Sequence, residues 1–250
     1  MALNKQHSKA PSAPLLEVCV DNSEGLQTAI KAGADRIELC SSLATGGLTP
    51  SAGFMAHAAK VCPLPVHALI RPRSGDFCFN AQDISIMEKD IQAASKTGLA
   101  GVVIGASKKD ARLDLKALAA LIKAAGAMDI TLHRAFDMVP NFTEALKEAA
   151  SLGIKRILTS GGSTSATDAL PVLQGLIRQG GATMTIMPGG GIGADTVQPL
   201  LKIGAREIHA SCSSPLAPTD KVANLGFSPL SDRQTDPDKI KALKATLLGS

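Results

Sequence analysis

The stretch AGADRIELC (Ala32–Cys40) compresses a helix end, a turn and a strand into nine residues. Gly33 can close a helix, Asp35 turns the chain, and RIEL then alternates polar and apolar side chains with the period of a β-strand. The same design returns as LGIKRILTS (Leu152–Ser160) and IGAREIHAS (Ile203–Ser211). A turn used three times implies a repeating unit. From Leu15 onward short apolar runs do alternate with stretches of helical periodicity: LLEVCVD, DRIELC, PVHALIRP, GVVIG, DITLHRAF, KRILTS, TMTIMPGG and EIHASC. The intervening spacing predicts eight helices, over Ser23–Ala32, Ser51–Val61, Ile84–Lys96, Asp114–Ala125, Phe142–Ser151, Ala166–Arg178, Ala194–Ile203 and Asp238–Leu248. Thr49-Pro50 reads as an N-cap followed by a first-turn proline, and Gly33, Gly98, Gly153 and Gly204 stand where helix C-caps belong. Eight strand–helix units predict an α/β fold, a (β/α)8 TIM barrel over residues 15–250 in one domain, preceded by a disordered tail over 1–14. A doubly wound open sheet is the weaker alternative.

Composition narrows the partners. The 26 basic and 22 acidic residues are spread along the chain without a basic block, Trp and Tyr are absent and Phe occurs six times. Both the electrostatic footprint and the stacking platforms of a nucleic-acid binder are therefore missing. The N-terminus has no apolar h-region and the chain has no long hydrophobic run, so neither a signal peptide nor a membrane partner is expected. Five cysteines (Cys19, Cys40, Cys62, Cys78, Cys212), an odd number with no Cys-x-x-Cys pair, suit reduced thiols in a cytoplasm.

In a barrel the reactive residues stand at the C-terminal strand ends. Strand one ends Glu17-Val18-Cys19 and strand two Glu38-Leu39-Cys40, so a Glu-x-Cys element occurs on two adjacent strands with each pair on one face. Soft thiolates so placed could hold Cu(I), whereas core thiols that only pack give the same pattern. Strand three ends with Arg71 and Arg73 around Pro72, a pair of guanidiniums fit for a carboxylate or phosphate, or for ion pairs with Glu17, Glu38 and Asp76. Strand five ends His133-Arg134-Ala135-Phe136-Asp137, where His133 suits general acid or base work and also suits a core imidazole. Gly189, Gly190 and Gly191 follow strand seven, a place where backbone amides can take an anion and where any tight turn needs glycine. His209, Ser211 and Met187 lie near on strands eight and seven. No lysine occupies a C-terminal strand end, which disfavours a Schiff-base aldolase.

The segments EVCVD (17–21), AGADRIELCSSLATGGLTPS (32–51), IRPRSGDF (70–77), TLHRAFD (131–137), RILTSGG (156–162) and IMPGGGI (186–192) resemble, in order, the motifs of the CutC family, over Leu15 to Ser211. The resemblance implies a cytoplasmic barrel assembling as a homo-oligomer, a dimer, tied to copper homeostasis, with Cys19 and Cys40 as Cu(I) ligands. It establishes no substrate, so a second function stays open. This is an acid–base enzyme of isomerase, epimerase or lyase type, in which Glu17, Glu38, His133 and Asp137 move protons. Arg71, Arg73, Arg134 and the glycines would hold a small anionic or phosphorylated metabolite. The Pro/Ser-rich segment 213–236 maps onto no family motif and reads as a lid or a disordered excursion.

Overall fold

The structure is a computed structural model that describes residues 13–216, 220–227 and 232–249. Most of the expected tail, residues 1–12, lies outside the described residues. Eight parallel strands form the inner wall: β1 (Leu15–Val20), β2 (Arg36–Leu39), β3 (Val66–Leu69), β4 (Gly101–Ile104), β5 (Asp129–Leu132), β6 (Arg156–Thr159), β7 (Thr185–Pro188) and β8 (Glu207–Ala210). Their order is β7-β6-β5-β4-β3-β2-β1-β8, and a single parallel bridge, Gly189 to His209, joins the two end strands among the described residues. The sequence is therefore a (β/α)8 barrel.

Outside the strands pack α1 (Ser23–Ala32), α2 (Ala52–Val61), α3 (Ala81–Lys96), α4 (Leu115–Ala125), α5 (Phe142–Ser151), α6 (Leu170–Gly180) and α7 (Gln198–Lys202), followed in the chain by a short α8 (Asp220–Asn224) and by α9 (Pro237–Leu248), which packs on α1. Gly33 ends α1 in the left-handed region, φ 99°, and its N–H donates to Ala29 O and Ile30 O, as the opening motif requires. Two expectations need correction. The N-cap of α2 is Ser51, whose hydroxyl accepts from Phe54 N, while Thr49 Oγ1 instead accepts from Arg71 N. The helix expected over Ala194–Ile203 is only α7, because Thr196 and Val197 turn back onto Gly193 O first. Segment 213–236 contains a hairpin: β9 (Ser213–Pro215) pairs antiparallel with β10 (Arg233–Thr235).

Alternation divides the core in two. Leu16, Val18, Val20, Ile37, Leu39, Ala68, Val102, Ile157, Ile186 and Ile208 face the helices and belong to one large apolar cluster. Residues of the other parity line the interior, and their lower layer is charged where barrels are usually apolar. Asp129 pairs with Arg156 (2.6 Å), Arg156 with Glu207 (2.7 Å), Glu207 with Arg36 (2.5 Å) and Arg36 with Glu17 (2.5 Å). Arg36 Nη2 also donates to Met187 Sδ at 3.2 Å. Burial tends to raise the Glu17 carboxyl, but His209 and Arg36 outweigh it and hold the group well below its ordinary value. Above this layer Cys19, Cys40, Leu69 and Val103 form a small separate apolar cluster.

Candidate functional site

The register builds the mouth. β1 sets Glu17 beside Arg36 and Cys19 beside Glu38, while its other edge sets Glu17 beside His209. His209 Nδ1 lies 2.8 Å from Glu17 Oε1, and its Nε2 lies 3.8 Å from Glu38 Oε2. One ligand atom each from Cys19, Glu38 and His209 falls within 4.8 Å of the others. Cys40 Sγ donates to Glu38 Oε2 at 3.6 Å.

These groups perturb one another. Burial alone would lower the His209 imidazole, but Cys19, Glu17 and Glu38 push it well above its ordinary value. Burial raises the Glu38 carboxyl against the pull of His209, and burial with the Glu38 charge raises the Cys40 thiol strongly. Carboxylates flanking an imidazole fix its ring, the usual support of a metal-ligating or proton-transferring histidine.

The group opens onto a cavity of about 830 Å3 that is also bordered by Arg71, Phe77, His133, Gly190 and Gly191. The hairpin supplies its far wall through Arg233 and Thr235, with Lys239 from α9 beside them. Arg233 Nη2 and Lys239 Nζ both donate to Ser213 O, which ties the hairpin to α9.

Arg71 and Arg73 part company at Pro72, because β3 has ended and alternation no longer governs them. Arg71 turns inward, 6% exposed, and gives Nη1 to Thr45 O and Gly47 O and Nη2 to Gly75 O. It forms no ion pair with Glu17, Glu38 or Asp76, contrary to the structural alternative in its sequence. Burial, and then Arg73, lower its pKa. Arg73 faces away from the cavity and pairs with Asp76 (3.0 Å) and Asp83 (3.2 Å).

His133 lines the cavity, and its Nδ1 accepts from Ala135 N at 3.1 Å, so the neutral ring carries its proton on Nε2. Burial and the Arg71 charge push its pKa down to about 3. The ring lies over Gly105, where a Cβ would come within 2.2 Å of Cε1.

Asp137 lies outside the cavity lining and serves a neighbouring loop: its carboxylate accepts from Thr159 Oγ1, Ser160 N (3.0 Å), Gly162 N (3.3 Å) and Arg134 Nε (2.7 Å). An internal carboxylate thus occupies the anion position that the TSGG loop offers. Arg134 reaches the cavity rim while bonded to Asp137 and Ser160. Of the glycine run, Gly190 and Gly191 reach the cavity and Gly189 does not line it. Glu17 lies one layer below, fully buried. The structure therefore brings Cys19, Glu38, Cys40, Arg71, His133, Arg134, Gly190 and Gly191 to one cavity, and leaves Glu17, Arg73, Asp137 and Gly189 around it. His209, merely near in the sequence reading, is central to it.

The sequence model of the CutC family matches residues 14–214. A CutC family protein of Sinorhizobium medicae is 50% identical over 235 residues, covering 93% of this chain and 96% of its own length. The crystal structure of a Streptococcus agalactiae CutC protein, named for copper homeostasis, superposes with a TM-score of 0.76 at 30% identity over 79% of this chain and 98% of that one. Thiamine phosphate pyrophosphorylase from Pyrococcus furiosus shares the fold alone, with a TM-score of 0.55 at 15% identity over 94% of this chain and 96% of that one.

Proposed function

The chain belongs to the CutC family, and from that premise we propose that it handles copper by binding Cu(I) at the barrel mouth. The observation that supports this is the group of buried Cys19, buried Glu38 and part-buried His209, with ligand atoms within 4.8 Å. Thiolate and imidazole suit Cu(I), and the Glu17–His209 bond orients the ring so that Nε2 is the ligating nitrogen. The carboxylate of Glu38 is the hard member of the set. It is also the acceptor for the Cys40 thiol, so on binding of Cu(I) the Cys40 proton would pass to Glu38 or to water and the thiolate would supply a second soft ligand. Anaerobic Cu(I) titration against a chromophoric chelator is expected to show one tightly held ion. The Cys19→Ser and His209→Gln variants should each lose it, and equal binding by the Cys19→Ser/Cys40→Ser protein refutes the reading. All five cysteines are free, which supports a cytoplasmic setting. No described helix is long and apolar enough to cross a membrane. A single barrel unit from Leu15 onward, assembled as a homodimer, completes the proposal and is checked by sedimentation equilibrium.

A second reading rests on the cavity itself, whose roughly 830 Å3 far exceeds what one ion needs. In it Glu38 and His209 move a proton on a small anionic metabolite. Incubation with a panel of organic acids and sugar phosphates in D2O should place deuterium on a ligand carbon with the native protein and not with His209→Gln. Absence of exchange in every member of the panel ends this reading.

A further inference from the structure

Arg71 is set apart from the ion-paired guanidiniums around the barrel. Arg36, Arg73, Arg134 and Arg156 each pair with a carboxylate, whereas Arg71, the one drawn into the cavity wall by three backbone carbonyls, pairs with none among the described residues. Carbonyls fix its orientation without neutralising it. Both Nη1 hydrogens are taken and one of Nη2, which leaves a donor on Nε and one on Nη2, the two nitrogens that grip a carboxylate side-on. Nε is buried without a partner, and so is Nε2 of His133, the nitrogen that carries the imidazole proton. Phe77 lies against both, its ring 5.1 Å from the Arg71 guanidinium and 4.9 Å from the His133 ring. A buried cation and two buried donors without acceptors, both packed on one phenyl ring, are costly unless something supplies negative oxygen.

We propose that Arg71 and His133, with Phe77 as their apolar cover, are the anchor of an oxyanion subsite, and that the cavity takes a small organic acid whose carboxylate sits there. The acid's carbon skeleton then extends across the cavity toward Cys19, Glu38 and His209. Entry displaces Phe77 from the two donors. Asp137 already fills the TSGG loop, so this anchor and not that loop receives the anion. The assignment does not rest on copper; it deepens the enzyme reading by naming the charged group of its ligand.

The test is calorimetric titration of the metal-free full chain, in chelator, with malonate and separately with inorganic phosphate. Malonate should bind and Arg71→Gln should weaken it by about tenfold or more, the value of a charge-assisted pair. The 1H–15N signals of Arg71 Nε and His133 Nε2 in the unsubstituted protein should both shift at saturation, a readout that needs no variant. Failure of both probes to bind, equal malonate affinity in Arg71→Gln, or binding without movement of the Arg71 signal overturns the proposal. Phosphate binding tighter than malonate keeps the anchor and overturns the carboxylate assignment. Malonate binding at Arg71 with no deuterium exchange in any panel member supports the anchor while ending the enzyme reading.

Discussion

Replacing Arg36 by Met tests whether the charged floor of the barrel is a set of real, desolvated ion pairs. Arg36 is held between Glu17 and Glu207, and its removal leaves two carboxylates short of a partner in a nearly water-free layer. Removing one partner of a buried pair costs about 3–5 kcal/mol. Here Glu17 keeps His209 and Glu207 keeps Arg156, which places the loss at the lower end, about 3 kcal/mol. For a chain of this size that corresponds to a fall in Tm of about 6–12 °C. Trp and Tyr are absent, so unfolding in urea is followed by far-UV circular dichroism. The pH dependence carries the sharper signature. In the native protein the Glu17 carboxyl is held below its ordinary 4.5, so its stabilising contribution is present above that pH and fades as pH falls below it. Without Arg36 the carboxyl loses one of the groups that hold it down, so the deficit of Arg36→Met should shrink as pH falls and Glu17 takes up a proton at higher pH than in the parent. A loss under about 1 kcal/mol at pH 7, with a pH profile parallel to that of the parent, would refute a desolvated floor.

Three further outcomes follow from the same geometry. His133, with a pKa near 3, binds no proton in the fold where the unfolded chain does. The His133 contribution to stability should therefore drop by about 1.4 kcal/mol for each pH unit below 6.5, until the fold itself protonates the ring. Long-range 1H–15N spectra should show the Nε2-protonated tautomer unchanged down to pH 5. Gly105→Ala should cost about 1–3 kcal/mol by driving a methyl into the His133 ring, and should weaken malonate binding while sparing the copper titration. Asp137→Ala should cost about 3 kcal/mol, since Ser160 N, Gly162 N and Arg134 lose one shared acceptor; a change under about 1 kcal/mol by urea denaturation contradicts its role as the filler of that loop.

The barrel was legible because its signals are local. Each strand's period, each Gly at a helix end and the AGAD, LGIK and IGAR turns need no knowledge of what lies across the sheet. Alternation also put Glu17 with Cys19 and Glu38 with Cys40 correctly on the inner face. What local pattern cannot show is depth and partner. Glu17 and Glu38 look alike in sequence, yet one is part of the ionic floor and the other borders the cavity, because β1 and β2 pair out of step by one residue pair. Arg36, Arg156 and Glu207 open their strands with no local signal of a partner, and become an ion-paired layer only once the strands close into a ring. Arg71 and Arg73 share parity, but beyond Leu69 no ladder holds them and Pro72 sends them to different surroundings. His209 carried a signal in its strand-end position, and its weight came from pairing with β1, a contact between opposite ends of the chain.

The seam between β7 and β8 gives the mouth an uneven mechanical character. β8 is laddered to β1 over four residue pairs and β1 to β2 over four, so the strands bearing Cys19, Glu38 and His209 move as one plate. Across the seam, where Gly189 and His209 make the lone bridge, stand the glycine run and its loop. Strain arriving at the mouth should open this line first, as a book opens at its least-glued signature. Amides along the Gly189–Ile192 edge should then exchange with solvent well before those of β1. The cavity can change its width while Cys19, Glu38 and His209 keep their spacing, so admission of a guest and constancy of this side-chain group are separable properties of the barrel.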